Sequence, residues 1–347
     1  MFKQYFDVSE IDVKKETINA FQGILSRLPF GSYAMDYDSA FAQIDNPDFV
    51  YIRHRALDRR YYLFLTKIRN RYPQVKIILE IPTYPYKGEL LASRTMWPFY
   101  FKDAFRRNRL KKIVDRIAIL TDDNFIFGVP TLKIQNGILV DTIVPAELHK
   151  DTEEINLIAV SACLPVHGYE RCIRGLADYY NKSGSGRKIV KFHLVGEGGE
   201  LELYKSLVQK NHLEAYVIFY GKKTGRELDA IYDKADIAMG AFAFYKAGIT
   251  ISSTLKVKEY LAKGLPVVSG CYEDSFGKDD VDFYLGFAND DSTVDIAKVL
   301  RFYEDILKKY GSREVLRDKI RSYAKKKVDM SVVMKPVVDY ITGEETK

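Results

Sequence analysis

Short apolar runs alternate with amphipathic stretches along most of this chain, and this alternation constrains the fold more than any other feature. The apolar runs have the length of strands, whereas the amphipathic stretches have helical length and spacing. The predicted strands lie at 49–52, 75–81, 116–120, 131–134, 155–161, 189–195, 216–220, 237–240 and 266–269, and the predicted helices at 61–71, 170–181, 200–209, 226–234 and 253–263, with a further helix ending at 110–114. Strands that alternate with helices predict parallel sheets with helices on both faces.

The pattern restarts after Pro145, and 347 residues are enough for two domains. We therefore predict an α/β architecture with one Rossmann-like domain over 1–148 and a second over 149–328. Residues 329–347 are expected to form a C-terminal helix that crosses back to the first domain. Two such domains predict a cleft between them, because open sheets of this kind bind ligands beyond the carboxyl ends of their strands.

Charge and cysteine usage narrow the classes of function. The net charge of +6 suits an anionic ligand or an anionic membrane surface and does not require nucleic acid. The three cysteines are few and show no metal-ligand spacing, which favours a reducing compartment. Residues 1–14 lack the apolar core of a secretory signal, and no uncharged apolar run reaches about 18 residues. The sequence thus predicts a cytoplasmic protein that meets a membrane, if at all, from its surface.

The stretch 245–268 carries the most informative helix. Residues suited to cap a helix stand at its two ends, namely Ser252 and Ser253 before it and Gly264 after it. The N–H groups at a helix start attract phosphate, and Lys256 would add a positive charge there. Glu259, one turn later, is placed to accept hydrogen bonds from ribose hydroxyls. The alternative is an ordinary surface helix with Lys–Glu pairs.

A glycine-rich loop follows the strand predicted at 189–195. It reads Gly196-Glu197-Gly198-Gly199 and precedes a helix. Glycines allow a backbone to approach a diphosphate closely, although any tight strand-to-helix turn uses them as well. The full dinucleotide fingerprint is absent, which disfavours NAD.

His167 and Arg171 lie four residues apart at the start of a predicted helix. This spacing places both on one face, where they would meet phosphate charge. The alternative is a capped helix with Arg171 on its solvated face. The five histidines of the chain do not cluster with carboxylates at ligand spacing, so we predict no metal site.

These elements, in this order, resemble the donor half of family 4 glycosyltransferases, which have the GT-B fold of two Rossmann-like domains facing each other across a cleft. The resemblance covers about 156–269. The matching segments are His167-Gly168, the VGEG of 195–198, the VIFYG of 217–221, Ala235-Asp236-Ile237 and the helix and strand of 255–268. The order HGYER followed by SxLKxxEYLAxGLPVV is similar to a subgroup found in bacterial capsule and exopolysaccharide loci.

The chain departs from the family at three charged positions. Ile251 stands where the first of two glutamates is usual, Ala162 replaces the usual arginine, and His167 replaces the usual lysine. The resemblance to the polysaccharide subgroup implies that His167, Arg171 and Lys256 supply the missing charges as catalytic residues.

The resemblance implies a hexosyltransferase-type enzyme of bacterial surface polysaccharide synthesis. It would move a sugar, with retention, from a nucleotide sugar to a glycan or polyprenyl-linked acceptor, with UDP favoured over GDP. Fixed N–H donors and cations stabilise a leaving diphosphate without a metal, so no other cofactor is expected. The expected donor-binding residues are Gly196, Glu197, Gly198, Gly221, Lys222, Ser253, Thr254, Leu255 and Glu259.

The N-terminal half is expected to bind the acceptor. A predicted strand runs into LEIPTYPYKGE, in which Thr83, Tyr84 and Glu89 are acceptor-side candidates. A rigid Pro-Tyr turn is the alternative for this segment. Arg53 and His54 end another predicted strand and are expected to line the cleft.

Residues 94–112 combine seven basic residues and one acidic residue with interleaved aromatic residues. Such a segment suits contact with an anionic membrane surface. Aromatic residues in the core beside a solvated basic face are the alternative. Nucleic-acid binding is not expected, because no recognised module frames the segment.

Two other functions remain open at this stage. Ile251 and Ala162 favour a non-catalytic sugar-nucleotide or glycan-binding partner on the same fold. A GT-B sugar-nucleotide epimerase is the lesser alternative.

Overall fold

A computed structural model of the chain describes residues 2–28, 31–91, 94–148, 153–182, 188–277 and 279–344. The chain folds into two compact units. Unit 1 comprises Met1–Gln135 together with Met334–Lys347, and unit 2 comprises Asn136–Val333.

Unit 1 is a five-stranded sheet with helices. Its elements are α1 (Ala20–Arg27), α2 (Tyr37–Ala42), β1 (Phe49–Arg53), α3 (Arg59–Arg71), β2 (Lys76–Ile81), α4 (Lys87–Leu91), α5 (Trp97–Arg106), β3 (Arg116–Ile119), β4 (Phe125–Ile126) and β5 (Val129–Lys133). The strand order is β1-β2-β3-β5-β4, and all pairs are parallel except β4 with β5.

The core of unit 1 forms around β2, whose Ile77, Ile78 and Leu79 are fully buried. A strand buried on both faces reads as a continuous apolar run, as KIILEI does here. Helix α3 starts where the Asp58 carboxylate accepts a hydrogen bond from the Tyr61 N–H at 2.8 Å.

Unit 2 is a six-stranded parallel sheet with helices. Its elements are β6 (Glu154–Val160), α6 (Tyr169–Asn181), β7 (Ile189–Val195), α7 (Leu201–Lys210), β8 (Val217–Phe219), α8 (Gly225–Tyr232), β9 (Ile237–Met239), β10 (Ile251–Ser252), α9 (Leu255–Lys263), β11 (Val267–Ser269), β12 (Tyr272–Glu273), β13 (Tyr284–Gly286), α10 (Ile296–Tyr310), α11 (Arg313–Lys327) and α12 (Met330–Val333). The order is β13-β11-β9-β6-β7-β8, and β10 pairs with β12 in a separate two-stranded sheet. The strand β6 occupies the centre, with five of its seven residues buried.

The last helix, α13 (Lys335–Thr342), belongs to unit 1. Lys76, at the start of β2, donates hydrogen bonds from its ammonium to the carbonyls of Tyr340 and Ile341 at 2.9 and 2.8 Å. A cation at the carboxyl end of a helix complements the helix dipole as well as the free carbonyls. This contact fixes the end of α13 against the sheet of unit 1.

The segment 136–148 packs on unit 2, although the sequence predicts a boundary after residue 148. The Ala146 N–H donates to the Lys263 carbonyl at 3.0 Å, and the Val140 N–H donates to the Asp329 carboxylate at 3.0 Å. These partners come from distant parts of the chain, so no local change in composition marks them.

Most predicted strands and helices coincide with observed ones to within two residues. The helix expected to end at 110–114 is α5, which continues directly into a 3₁₀ helix, Arg107–Lys112. In the described part of the chain, no helix is both long and apolar enough to cross a bilayer.

Candidate functional site

The loops that follow the strands of unit 2 gather at one edge of its sheet, because all six strands run in the same direction. This is the edge at which open α/β sheets bind ligands. The segments that follow β6, β7 and β8 meet there: the Ser161 N–H donates to the Val195 carbonyl at 2.9 Å, and the Gly196 N–H donates to the Gly221 carbonyl at 2.8 Å.

The glycines after β7 pack closely against the loop that follows β6. Gly196 has φ of +131° and Gly198 has φ of +154°, in the region that favours glycine. A Cβ atom on Gly196 would lie 1.7 Å from the Ser161 carbonyl oxygen, and one on Gly198 would lie 2.0 Å from the Ala162 carbonyl oxygen. These glycines therefore permit close contact between the loops after β6 and β7, and their contact with a diphosphate stays a prediction.

The other predicted donor residues nearby are more open. Glu197 and Lys222 are exposed at the surface. Gly221 has φ of +64°, and a Cβ atom added to it would lie 3.6 Å from the Glu197 carboxylate. The structure thus groups Gly196, Glu197 and Gly221, with Lys222 beside them in the chain.

Helix α9 starts one residue later than its serines suggest. Thr254 is the N-cap residue and makes no side-chain cap hydrogen bond; its buried hydroxyl has no partner among the described residues. The Ser253 hydroxyl instead donates to the Asp274 carboxylate at 2.5 Å, and the buried Lys258 ammonium donates to the same carboxylate at 2.8 Å. Ser253 is therefore engaged in holding the helix start, which corrects its predicted role as the cap.

The remainder of α9 follows the sequence prediction. Val257 and Leu261 are fully buried, and Gly264 ends the helix with φ of +82°. Leu255, predicted to contact the donor, presents a half-exposed side chain at the first turn. Both ends of the predicted site, the helix start and the loops after β6 to β8, thus belong to unit 2.

Lys256 and His167 come together around Tyr169. The Lys256 ammonium lies 3.4 Å from the Tyr169 hydroxyl and 5.7 Å from the centre of its ring. The His167 ring stacks on the same tyrosine, with ring centres 5.8 Å apart. Tyr169 is fully buried, so it holds both side chains at the base of the site.

The protonation of both side chains is shifted by burial. Desolvation lowers the pKa of Lys256, and the nearby Glu273 carboxylate partly opposes this effect. Burial and the Lys256 cation lower the pKa of His167 to about 3. His167 is therefore neutral at physiological pH. Its Nδ1 accepts a hydrogen bond from the Leu164 N–H at 3.1 Å, so its Nε2 carries the proton.

Arg171 lies away from this group, fully buried on the inner face of α6. All five of its N–H donors are used: the partners are the carbonyls of Ser292, Phe242 and Ala288, the Ser292 hydroxyl and the Asp290 carboxylate. The sequence predicts that Arg171 contacts phosphate or lies on a solvated helix face. In the structure it is fully buried, and its donors bind protein acceptors. Arg171 holds α6 against two distant loops, because a guanidinium has enough donors to reach acceptors in both of them.

Glu259 lies one turn after Lys256 on α9 and is partly buried. One carboxylate oxygen accepts a hydrogen bond from the Tyr232 hydroxyl at 3.2 Å. Burial raises the pKa of Glu259, whereas Tyr232 and Lys263 lower it. A carboxylate held in this way still has a second oxygen, which is the group that the predicted ribose contact requires.

Glu273, on β12, is the residue that sequence reasoning missed. It is fully buried, and its carboxylate accepts a hydrogen bond from the Ser269 hydroxyl at 2.9 Å. Burial raises the pKa of Glu273, while Lys256 and Lys258 lower it. Position 251, where the resembled family has a glutamate, is an exposed isoleucine of β10. Since β10 pairs with β12, the fold places Glu273 opposite Ser252, a relationship that no sequence spacing indicates.

The acceptor-side candidates lie in unit 1. Arg53 is exposed and 4.0 Å from the Glu80 carboxylate, and Thr83 is also exposed. Tyr84 is half-buried and packs edge-on against Tyr86 and Phe127. The side chain of Glu89 lies outside the described residues, although its backbone belongs to α4.

His54, at the end of β1, is almost fully buried. Its Nε2 lies 3.7 Å from the Asp103 carboxylate, and neither ring nitrogen makes a hydrogen bond within the described part of the chain. Asp103 also accepts hydrogen bonds from the Tyr86 hydroxyl at 2.7 Å and the Leu57 N–H at 2.9 Å. The structure thus forms a second polar cluster at the carboxyl end of β1, which the sequence indicated only by a strand-end histidine.

Across the described ranges, with their gaps, no three histidine, cysteine or acidic side chains are grouped to hold a metal ion. Near the start of α9, the Lys258 ammonium lies 2.8 Å from the Asp274 carboxylate.

No protein-family profile matches the chain, and no curated protein matches its sequence. A glycosyltransferase from Rickettsia africae aligns with a TM-score of 0.59 at 12% identity, over 96% of this chain and 84% of that chain. Anabaena HepE in complex with UDP aligns with a TM-score of 0.57 at 12% identity, over 88% and 80%.

A third solved structure aligns with this chain over most of its length. Sucrose-phosphate synthase from Thermosynechococcus elongatus aligns with a TM-score of 0.56 at 14% identity, over 89% of this chain and 77% of that chain. Identities this low establish architecture only. The chain has the GT-B fold, built from two Rossmann-like domains, as the sequence predicts.

Proposed function

We propose that this chain is a glycosyltransferase that moves a sugar from a nucleoside diphosphate sugar to a glycan or lipid-linked acceptor. The observation that carries the proposal is the pairing of Lys256 with Tyr169 at the start of α9, beside the carboxyl edge of the unit 2 sheet. A half-buried cation at this edge favours an anionic ligand, because a diphosphate supplies the electrostatic stabilisation that the ammonium loses when it leaves water.

The chemistry follows from the charges of this group. Negative charge develops on the diphosphate as the glycosidic bond breaks, and a fixed cation stabilises that charge more in a partly desolvated site than in water. Lys256 supplies the cation. Neutral His167 supplies an Nε2–H donor at the same site, and the first-turn N–H groups of α9 add fixed dipoles.

Two carboxylates have different tasks in the proposal. Glu259 binds the ribose hydroxyls with the oxygen that Tyr232 leaves available. Glu273 helps to keep Lys256 protonated, since its charge raises the pKa of that ammonium. Glu273 in this way replaces the carboxylate that is absent at Ile251.

UDP is favoured over GDP as the nucleotide. Anabaena HepE, which shares the fold, binds UDP and UDP-glucose in its structures. Retention of anomeric configuration, a hexose as the transferred sugar and a role in bacterial surface polysaccharide synthesis in the cytoplasm are proposed on the family resemblance of residues 156–269.

A non-catalytic sugar-nucleotide or glycan-binding partner is the second candidate. The observation that favours it is Arg171, whose five donors are all used inside the protein, so one of the three charges expected for catalysis does not reach a ligand.

A panel of UDP- and GDP-sugars separates these functions. Each sugar nucleotide is scored by thermal shift, and then by release of the nucleotide in the presence of glycan and polyprenyl-linked acceptors. Stabilisation with acceptor-dependent release supports the transferase. Stabilisation without release favours the binding partner, and a changed sugar without acceptor indicates the epimerase. Failure of every nucleotide to stabilise the protein would overturn the donor site itself.

A further inference from the structure

Helix α1 presents an apolar stripe to solvent. Phe21, Ile24 and Leu25 of α1, with Leu28 directly after it, follow the spacing of one helical face and are 67%, 62%, 42% and 49% exposed. Residues 17–28 contain no acidic side chain. An amphipathic helix normally buries such a stripe in its own core, and here the stripe lies outside it.

Helix α5 presents a second stripe. Trp97, Phe101 and Phe105 recur every four residues and are 44%, 56% and 69% exposed. The neighbouring Phe99 is partly buried, and its ring stacks on Tyr33 with centres 4.7 Å apart. The three exposed rings need a different explanation.

The two helices are neighbours within unit 1. Lys102, buried on α5, donates a hydrogen bond to the Ser26 carbonyl at the end of α1. The same ammonium lies 5.0 Å from the centre of the Tyr33 ring. The two stripes therefore belong to adjoining helices, and together they form what we name the apolar platform, consisting of Phe21, Ile24, Leu25, Leu28, Trp97, Phe101 and Phe105.

The exposed charges that the structure describes within 94–112 are all positive. Arg94, Arg109, Lys111 and Lys112 are exposed, whereas Asp103, the one acidic residue of 94–112, is fully buried. Charge of a single sign around exposed aromatic and aliphatic side chains complements an anionic lipid surface.

Two arginines, Arg106 and Arg109, lie directly beside the Phe105 ring of the platform. The guanidinium groups of Arg106 and Arg109 lie 5.4 and 5.7 Å from the centre of the Phe105 ring. A phenyl ring flanked by cations suits the boundary between lipid tails and head groups, where the ring inserts while the cations meet phosphate.

We propose that the apolar platform docks unit 1 on the surface of a bilayer that contains anionic lipid. Exposed apolar area supplies the insertion, and the basic rim selects the negative leaflet. The contact is peripheral, since no helix in the described ranges is able to cross a bilayer. This inference stands apart from the proposed function, because it requires no sugar donor.

The test is sedimentation of the full chain with vesicles. Vesicles of equimolar phosphatidylglycerol and phosphatidylcholine should carry the protein down, and pure phosphatidylcholine vesicles should carry down far less. The double variant Phe101→Ser, Phe105→Ser should lower the partition coefficient on the mixed vesicles about tenfold. Phe125→Ser is the matched control, since Phe125 is 67% exposed in the same unit but lies on β4.

A second variant separates charge from apolar insertion. Arg109→Gln with Lys111→Gln should weaken binding to the mixed vesicles and reduce its sensitivity to salt. An unchanged thermal unfolding midpoint in each variant confirms that the fold is intact. Equal binding to both kinds of vesicle, equal loss with Phe125→Ser, or a platform variant that turns a dimer into a monomer without affecting vesicle binding would each overturn the proposal.

Discussion

The Lys256 ammonium lies 3.4 Å from the hydroxyl oxygen of Tyr169. This contact joins α9 to the HGYER segment at the start of α6, two segments that are far apart in the chain. Burial lowers the pKa of Lys256, so the cation is less stable there than in water and gains from any anion that binds beside it. The relationship therefore connects the fold of unit 2 to a specific class of ligand.

The glycines of the loop after β7 differ in what they tolerate. Gly198→Ala places a Cβ atom 2.0 Å from the Ala162 carbonyl oxygen at φ of +154°, and we expect a loss of about 2 kcal/mol or more in the free energy of unfolding. Gly199→Ala meets no atom within 4 Å and should change it by less than about 1 kcal/mol. Denaturant unfolding measures both, and equal effects would contradict the loop packing.

Arg171→Met tests whether Arg171 stabilises the packing of α6 against the loops around residues 242 and 288–292. The substitution leaves the buried Phe242 carbonyl without its Arg171 donor and also removes the hydrogen bonds to Ala288 and Ser292, so we expect it to cost roughly 3 kcal/mol of stability or to prevent folding. Arg174→Met is the control, because Arg174 is only partly buried on the same helix and pairs with the exposed Asp291 at 2.9 Å. Urea unfolding gives the comparison. An Arg171 variant as stable as the control, yet unable to bind a nucleotide, would restore the predicted phosphate contact.

Local sequence was sufficient to place α9 and the strand that follows it, β11. Gly264 ends the helix as predicted because a left-handed residue at a helix end is a local requirement. The start was harder to predict, because Asp274, which binds the Ser253 hydroxyl, lies 21 residues further along the chain. Whether a serine caps a helix depends here on a partner that only the fold supplies.

Long-range contacts also explain what the sequence missed at the site. Arg171 finds its acceptors in loops around residues 242 and 288–292, and their carbonyls carry no sequence signature. Glu273 reaches the site through the pairing of β10 with β12, two strands of two residues each. Short pairings of this kind have no periodicity from which they can be predicted.

Glu259→Ala should weaken nucleotide binding about tenfold while leaving folding nearly intact, because its carboxylate is only partly buried and has one protein donor. The control is Glu202→Ala, an exposed residue that pairs with Lys205. Isothermal titration with UDP and with the base-free analogue ribose 5-diphosphate measures the effect. Unchanged affinity in the Glu259 variant would refute its ribose contact.

The lowered pKa of His167 predicts that the free energy of unfolding depends on pH. Its pKa is about 3 in the folded chain and 6.5 for an exposed imidazole, so the unfolded chain binds the extra proton between these values. The free energy of unfolding should therefore fall as pH drops through this window.

His167→Asn should make that fall shallower, since the variant has no imidazole to protonate. His212→Asn provides the control on an exposed histidine in the same unit, at a φ of +54° that asparagine tolerates. Denaturant unfolding at about pH 7 and about pH 5 gives the slopes. An identical slope in wild type and His167→Asn would show that His167 is not held neutral by the fold.

The most direct test of the account is calorimetric titration of the protein with UDP, comparing wild type with Lys256→Met and with Lys205→Met, an exposed lysine of the same unit. We predict that wild type and Lys205→Met bind UDP alike. Lys256→Met should bind at least about tenfold more weakly, because the cation that faces the diphosphate is lost. A Lys256→Met variant that binds UDP as tightly as wild type, or a folded wild-type protein that binds no nucleoside diphosphate, would contradict the donor site.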